Sequence, residues 1–349
     1  MFDILEAEIS PGISTTDAVA LGCRIEEVGF DRLGISDVVF WPDCFVLQAV
    51  LAEATKRVRI GSMVTNPYPR HPAVLAGMLA TLQEISDGRI FCGIGVGAGL
   101  EDLDIDYPRP VRALREAVEV LRALLAGEHA DLDGDLFPVR GASLVRPPSA
   151  PVPISIGTRS PQAMRLAGEV ADIALVGARH FTPALASRYR VWLAEGAARV
   201  GRDPSEVEVA PRLTLCVSDD AKLARASVVR YVAHYLAIIR PPEMEPDRLA
   251  AIDAALSRST GWYFDVNRND DPALAGLVPE EWITNYAVVG TPGEVVEQLG
   301  HIADLGFTSA SLNLAAVMRG DMTTGLRETI DGFASVIATV RPSCREEQS

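Results

Sequence analysis

The stretch RIGSMVTNPYPRHPA, residues 59–73, decides the fold. Its first half predicts a short buried strand, and Thr65-Asn66-Pro67 then forms a polar turn. A helix is expected to begin at His71-Pro72, because proline fits the first helical turn, where an N–H group has no intrahelical partner. A strand that ends in small and polar residues, followed by a loop and a helix, is the unit in which α/β enzymes place their catalytic groups.

The rest of the chain repeats this unit. Eight strands are predicted at residues 2–9, 32–36, 58–64, 89–96, 151–157, 172–176, 207–217 and 307–314. Helical patterns separate them, which favours the α/β class and a (β/α)8 TIM barrel over the alternative, an open doubly wound sheet. Residues 219–284 break the rhythm and predict a mostly helical insertion between the seventh and eighth strands. Residues 1–349 are therefore interpreted as one domain that carries this insertion.

Local signals mark several helix ends and one hairpin. Ser14 or Thr15 is expected to cap a predicted helix over residues 15–28, and Gly29 follows it. Ser160 followed by Pro161 predicts another helix start, because serine caps the free N–H groups of a first turn. Asp133-Gly134 predicts a β-hairpin within residues 130–145.

Composition limits the classes of function. The 349 residues are 48% hydrophobic and 23% charged, which is typical of a globular protein. A net charge of −15 argues against nucleic acid as a partner, because phosphates need a cationic surface. The N-terminus lacks the basic and apolar segments of a secretory signal, and no run of 18 apolar residues predicts a membrane span. We therefore expect a cytoplasmic protein that acts on a small molecule.

In a barrel, catalytic groups gather at the carboxyl ends of the strands. The polar and small residues at those positions are Glu6 or Glu8, Asp37, Thr65-Asn66, Gly95 to Gly99, Gly157 to Ser160, and Gly177 to His180. They predict one large pocket with few strong bases.

Thr158-Arg159-Ser160 is the best candidate for an anion site. Backbone N–H groups at a helix start favour negative charge, and Arg159 adds a cation. The alternative is an ordinary capped helix with a surface arginine. The glycines within residues 93–99 have the spacing GxGxGxG, which differs from a dinucleotide-binding motif. They indicate either clearance for a flat ligand or a tight barrel turn.

The titratable residues leave few candidates for a strong base. Asp37 could accept hydrogen bonds from a ligand or cap a helix, and His180 could serve the site or be solvated. The other histidines, His71, His129, His234 and His301, are interpreted as a helix-start residue and three surface residues. No spacing of His, Cys, Asp or Glu suggests a metal site or a covalent nucleophile. This pattern favours an organic cofactor that carries the reactive chemistry.

Five stretches resemble the bacterial luciferase-like superfamily, and the branch they resemble is the coenzyme F420-dependent oxidoreductases, especially methylenetetrahydromethanopterin reductase. They are residues 29–37, 59–76, 88–99, 151–172 and 288–314. The run VTNPYPRHPA is the most specific match. The resemblance covers nearly the whole chain except residues 219–284.

This resemblance implies a barrel whose insertion forms a substrate lid, and a cis peptide bond between Met63 and Val64. It implies that Asp37 and Asn66 contact the deazaflavin ring and that the phosphate lies on Thr158-Arg159-Ser160. The implied cofactor-binding residues are Asp37, Met63, Val64, Asn66, Gly95, Val96, Gly97, Gly157, Thr158, Arg159, Ser160, Gly177 and Ala178. Relatives usually form dimers, so a homodimer is also implied.

The chain departs from some relatives where acid–base residues are expected. Many relatives have histidine after the aspartate of the second strand, where this chain has Val38. The glucose-6-phosphate dehydrogenase branch also uses a glutamate where this chain has Ala98, and a lysine where it has His180. A sugar-phosphate reaction is therefore not expected. The proton donor stays open: the catalytic candidates are Asp37, Glu6 and His180, with Glu8, Glu101, Asp102 and water as further alternatives.

Three functional hypotheses follow. The first is an F420-dependent oxidoreductase that transfers a hydride between the deazaflavin C5 and a C=N, C=C or C=O bond. The second is an FMN-dependent monooxygenase of the same superfamily, using reduced flavin and dioxygen. The third is a barrel without catalytic activity. In each case the aromatic residues Trp262-Tyr263-Phe264 and Trp282 are expected to cover the pocket or to form an interface.

Overall fold

The structure, a computed structural model, describes residues 1–10, 12–97, 100, 103–258 and 272–341. Its strands are β1 (Ile4–Ile9), β2 (Arg32–Ile35), β3 (Arg59–Ser62), β4 (Ile90–Ile94), β5 (Ala130–Leu132), β6 (Val139–Ala142), β7 (Ile154–Thr158), β8 (Ile173–Val176), β9 (Glu208–Val217), β10 (Ala287–Gly290) and β11 (Ser309–Leu314). Its helices are α1 (Thr15–Val28), α2 (Cys44–Ala54), α3 (Pro72–Ile85), α4 (Pro110–Leu125), α5 (Pro161–Val170), α6 (Pro183–Arg199), α7 (Ala221–Ser227), α8 (Val229–Ile239), α9 (Pro246–Ser257), α10 (Pro272–Ala275), α11 (Glu280–Tyr286), α12 (Pro292–Asp304) and α13 (Met322–Val340).

Eight parallel strands close into a barrel. Their order is β9-β11-β1-β2-β3-β4-β7-β8, and the pairing of β8 with β9 closes the ring. The predicted (β/α)8 barrel is therefore confirmed, and the open sheet is wrong. All eight predicted strands are present, although most are shorter than predicted, because the flanking residues belong to the turns.

The sequence analysis missed one strand. Residues Ala287–Gly290 form β10, which pairs in parallel with Thr214–Val217 of β9. Strand β9 has ten residues, so its last residues extend past the pairing with β8, which ends at Pro211. This overhang supplies free hydrogen-bonding groups, and β10 pairs with them.

The predicted local signals are confirmed. The Ser14 hydroxyl accepts from the Asp17 N–H and caps α1, and Gly29 ends that helix with φ 106°. The Ser160 hydroxyl caps α5 by accepting from the Ala163 N–H. Strands β5 and β6 form the predicted antiparallel hairpin.

The insertion has its own hydrophobic core. Helices α8 and α9 contribute Tyr231, Leu236 and Ile252, which pack with Cys216 of β9 and Val317 beyond β11. Val38 and Trp41, in the loop after β2, pack against the same core. The insertion therefore lies at the carboxyl ends of the strands. The predicted cluster Trp262-Tyr263-Phe264 lies outside the described residues.

The barrel interior has two unlike halves. The first, here called the apolar half, consists of Met63, Phe91, Ile173, Leu175 and Ala210, with Val64 packed against them. The second, here called the ionic half, is lined by Glu6, Glu8, Arg32, Glu208 and Arg212, together with Thr214, Ser311 and Asn313. Because side chains alternate between the two faces of a strand, every second residue of β1 and β9 points into the barrel, and Ala210 of β9 belongs to the apolar half.

Candidate functional site

The turn after β3 forms one side of the barrel mouth. The peptide bond between Met63 and Val64 is cis, as expected. The Thr65 N–H donates to the Gly93 carbonyl at 2.9 Å, and the Gly95 N–H donates to the Thr65 carbonyl at 2.8 Å. These two bonds fix the turn to β4 and hold the half-buried Val64 at the mouth.

Glycines clear the space around Val64. A Cβ atom at Gly95 would lie 2.7 Å from Val64 Cγ2, and one at Gly157 would lie 3.2 Å from Val64 Cγ1. Gly97 has φ 95°, and its Cβ would lie 3.1 Å from Asn66 Cγ. The glycines thus supply close packing and backbone freedom, so a flat ligand can approach Val64 where side chains would obstruct it. Residues 98 and 99 lie outside the described residues.

Asp37 is held as a hydrogen-bond acceptor. Its Oδ2 atom accepts from Thr65 Oγ1 at 2.6 Å and from Arg70 at 2.8 Å. Arg70 also donates to Asp43 at 2.8 Å, and Asp43 accepts from the N–H groups that begin α2. Asp43 is therefore the cap of α2, and the helix-cap alternative for Asp37 is wrong. Arg70 was missed as a site residue, although it lies in the stretch that decides the fold.

The loop after β7 has the geometry of a capped helix start. The Thr158 hydroxyl donates to the Ser160 carbonyl at 3.3 Å, and the Tyr189 hydroxyl donates to the Arg159 carbonyl at 3.1 Å. The Gly177 N–H donates to the Thr158 carbonyl at 2.9 Å, which joins this loop to the one after β8. Arg159 is exposed, and among the described residues no carboxylate lies within salt-bridge distance of it. Its guanidinium is therefore available to an anion.

Further cations surround this loop. Arg179 is buried, and its guanidinium lies 4.2 Å from the Tyr235 ring centroid on α8. Burial lowers the pKa of His234 to about 4, and Arg179, Arg159 and Arg230 lower it further by charge repulsion. The interpretation of His234 as a surface residue is wrong, because it lies half-buried on α8 near Arg179 and Arg159. Three arginines from three elements thus create a positive potential in an acidic protein.

His180 connects the barrel to the insertion. Its Nδ1 atom lies 2.9 Å from the Asn285 carbonyl oxygen, and its ring stacks on Tyr286 with centroids 5.5 Å apart. A carbonyl only accepts, so Nδ1 carries the hydrogen, and Nε2 of the neutral ring is an acceptor. Ala178, the neighbouring residue predicted to contact the phosphate, is buried.

The glutamates of β1 lie inside the barrel. Glu8 accepts from the Ser36 hydroxyl at 2.9 Å and forms a bidentate ion pair with Arg212. Glu6 is a mid-strand residue and lies one level deeper than Glu8, so it is not at the strand end where the sequence analysis placed it. Burial raises the pKa of Glu6 to about 7, although the charge of Arg32 opposes this shift.

Three predicted positions cannot be located. Glu101 and Asp102, two alternative proton donors, lie outside the described residues, as does Ala98.

Across the part of the chain that the structure describes, no group of three or more His, Cys, Asp or Glu side chains could hold a metal ion. No helix there is long and apolar enough to cross a membrane.

The sequence and the fold of this chain are similar to those of known proteins. A family profile described as luciferase-like monooxygenase matches residues 4–309. A 5,10-methylenetetrahydromethanopterin reductase of Methanolobus tindarius is 32% identical over 289 residues, which cover 81% of this chain and 85% of that protein. An F420-dependent glucose-6-phosphate dehydrogenase of Beutenbergia cavernae is 32% identical over 311 residues, which cover 84% of this chain and 85% of that protein. The structure of a coenzyme F420-dependent tetrahydromethanopterin reductase from Methanopyrus kandleri superposes with a TM-score of 0.82 at 22% identity, covering 98% of this chain and all of that one (100%).

Proposed function

The chain belongs to the luciferase-like monooxygenase family, and we propose that it is an F420-dependent oxidoreductase. The reaction would transfer a hydride between the deazaflavin C5 and a C=N, C=C or C=O bond of a small molecule. Of the two relatives at 32% identity, one is named a reductase and the other an F420-dependent dehydrogenase. This likeness supports the cofactor and leaves the substrate unspecified.

The observation that carries the proposal is the open apolar surface of Val64, here called the Val64 floor. Gly95 and Gly157 flank it so closely that any Cβ atom would collide with or crowd the valine side chain. A flat tricyclic ring fits on such a surface, with the apolar half of the barrel beneath it. The residues present therefore fit a deazaflavin.

The other proposed contacts divide between the ring and the phosphate. Asp37 would accept from the ring N–H groups, because Thr65 and Arg70 already hold its carboxylate in place. Arg159 and the start of α5 would bind the phosphate, beside Gly177. When bound, the cofactor supplies or accepts the hydride, and these residues orient it toward the substrate.

We propose that the proton enters from the β1 side of the mouth. Asp37 already accepts a hydrogen bond from the Thr65 hydroxyl, and His180 Nδ1 already donates one to the Asn285 carbonyl. Of the candidates within the described residues, Glu6 and Glu8 remain, and the pKa of Glu6, about 7, lets it hold a proton near neutral pH. We therefore rank Glu6 above Asp37 and His180 as the source of the proton.

The alternative function is an FMN-dependent monooxygenase that uses reduced flavin and dioxygen. The description of the matching family favours keeping it, because that family is named for monooxygenases. The two functions differ in the cofactor that the Val64 floor selects.

Titration of the purified protein with F420, and separately with FMN, tests the proposal. Micromolar or tighter F420 binding with weak FMN binding would support it, and preference for FMN would support the monooxygenase. Arg159→Ala should weaken F420 binding about tenfold, because one charge-assisted contact is lost. Arg140→Ala is the matched control, because Arg140 is exposed on the β5–β6 hairpin and pairs with Asp133. Binding of neither cofactor would leave a barrel without catalytic activity.

We also propose that the insertion, residues 219–284, forms the roof of the pocket and selects the substrate. Its core reaches Val38 and Trp41 in the loop after β2, on the far side of β1 from β9 and β11. Trp282 packs against the same core. Replacing Trp282 with alanine should change the KM for a substrate more than the affinity for F420.

A homodimer is proposed through α2 and α3. Val46 and Val50 on α2 and Val74 on α3 are 65%, 42% and 59% exposed, and both helices are apolar on most sides. Such exposed valines indicate a covered surface, and a second copy of this chain is the proposed cover. Val50→Lys should shift the mass measured by light scattering from dimer to monomer, whereas Val145→Lys, at a 99% exposed position, should leave it unchanged.

A further inference from the structure

The ionic half of the barrel contains more polar groups than its ion pairs use. Among the described residues, Glu6 Oε1, Ser311 Oγ, Asn313 Oδ1 and Thr214 Oγ1 are buried without a hydrogen-bond partner. Buried polar atoms without a partner are unfavourable, and in folded proteins they are usually satisfied by bound water.

These four oxygen atoms belong to neighbouring side chains. Glu6 is the register partner of Ser311, and one level higher Glu8 is the partner of Asn313. Asn313 is in turn the partner of Thr214 on β9. Adjacent strands lie about 4.8 Å apart, so inward side chains at the same level can share one water molecule. The unpartnered atoms therefore line a continuous path between the levels of Glu6 and Glu8.

We propose that bound water joins these groups, and that Glu6 stores a proton which passes through Glu8 to the barrel mouth. This inference rests on the proposed hydride-transfer function, because reduction of a C=N, C=C or C=O bond consumes one proton for each hydride.

The charges of the ionic half favour a neutral Glu6. The titratable groups that face it are Glu8 on its own strand, Arg32 on β2, and Glu208 and Arg212 on β9, while β11 contributes uncharged side chains, Ser309, Ser311 and Asn313. Arg32 pairs with Glu208 through two hydrogen bonds of 2.7 and 2.6 Å, and Arg212 pairs with Glu8. Two arginines thus balance two glutamates, and a third carboxylate charge would be buried without a counterion. A protonated Glu6 removes this excess.

The path continues from Glu8 to the strand ends. The Ser36 hydroxyl donates to Glu8 at 2.9 Å and lies 3.4 Å from the Ser10 hydroxyl. In the transfer, the O–H bond of Glu6 breaks, and an O–H bond forms on Glu8 through the intervening water. The proton of Glu8 then goes to the substrate atom that gains the electron pair as the hydride arrives. Glu6, left as a carboxylate, regains a proton from solvent before the next turnover.

Infrared spectroscopy of the cofactor-free protein tests the stored proton. We expect a buried carboxylic-acid C=O band that disappears as the pH rises through about 7. Glu6→Gln should remove this band. Glu53→Gln, at an exposed position on α2, should leave it unchanged. A band that survives in Glu6→Gln, or no band in the wild-type protein at pH 6, would overturn the proposal.

Turnover by the F420-loaded enzyme tests delivery. Glu6→Gln should bind F420 like the wild type but turn over about 100- to 10,000-fold more slowly, the range for loss of acid–base catalysis. Its rate should also lose the pH dependence near 7. Unchanged turnover together with loss of the infrared band would show that the proton is structural and would overturn delivery. If the wild type binds no F420, the proposed function and the delivery step fail together, and the infrared result still decides whether Glu6 stores a proton.

Discussion

The two halves of the barrel interior carry opposite chemistry within one ring of strands. The apolar half, centred on Phe91 and Leu175, lies beneath the Val64 floor and provides a dry support. The ionic half, centred on Glu6 and Glu8, lies beneath the ends of β1 and β2 and holds buried ion pairs beside Glu6, whose pKa burial raises to about 7. The proposed hydride transfer would need a water-poor face for the cofactor and a nearby source of protons. The division of the interior would supply both in the same barrel.

The largest effect should follow from breaking the ionic half. Arg212→Met removes the counterion of Glu8 and leaves a fully buried carboxylate without its partner. We expect the free energy of unfolding to fall by about 3–5 kcal/mol, the range for one side of a buried ion pair. Urea denaturation measures it.

Arg140→Met is the control for that experiment. Arg140 and Asp133 form an ion pair between side chains that are 69% and 86% exposed, so the expected change is below about 1 kcal/mol. Equal losses of unfolding free energy at both positions would mean that the Glu8–Arg212 ion pair is no more buried than the exposed pair.

The next largest effect concerns the proton on Glu6. Because the pKa rises from 4.5 to about 7 on folding, the folded state binds more protons between these values. Stability should therefore be highest below pH 4.5 with respect to this group, and about 3 kcal/mol should be lost as the pH rises through 7. Glu6→Gln should remove this loss, which unfolding measurements from pH 5 to 8 can detect.

His234 provides an internal comparison of opposite sign. Its pKa falls from 6.5 to about 4 on folding, so its contribution is present above pH 6.5 and is lost as the pH falls through 4. A His234→Gln variant should lose a rise in stability between about pH 4 and 6.5, whereas Glu6→Gln should lose a fall in stability between about pH 4.5 and 7. The two variants should therefore change the slope of stability against pH in opposite directions, and a change of the same sign in both would contradict one of the two assignments.

A substitution at the Val64 floor should lower stability less than the changes above and should also weaken F420 binding. Gly95→Ala places a Cβ atom 2.7 Å from Val64 Cγ2, which forces a shift of the side chain. We expect a loss of about 1–3 kcal/mol in stability and a fall in F420 affinity of at least tenfold. Gly293→Ala is the control, because nothing lies within 4 Å of its Cβ.

The smallest expected change in stability should show that the ionic half contains bound water and the apolar half does not. Ser155 on β7 and Ser311 on β11 both have a buried hydroxyl without a partner among the described residues. In the apolar half, Ser155→Ala should be neutral or slightly stabilising. In the ionic half, Ser311→Ala should cost about 1 kcal/mol, because bound water loses a partner. The same sign for both variants in thermal unfolding would contradict the contrast.

Much of the fold follows from local sequence. The alternation of strands and helices, the cap at Ser14, the cap at Ser160 and the glycine at position 29 are each decided by a few neighbouring residues, and all are present. The resemblance of residues 59–76 to a known family also gave the cis bond at Met63 and the residues around Val64.

Only the tertiary structure decided what lies inside the barrel. Arg32 and Glu208 are 176 residues apart, and Glu8 and Arg212 are 204 apart, so no local pattern could pair them. The same holds for β10, which is stable only because β9 extends past its neighbours, and for His234, which becomes buried only when α8 packs near Arg179. The sequence by itself determined the helix ends and the strand–helix alternation, because a few adjacent residues decide that local geometry. Closure of the barrel decided the rest, because charge balance and burial depend on residues that folding alone brings together.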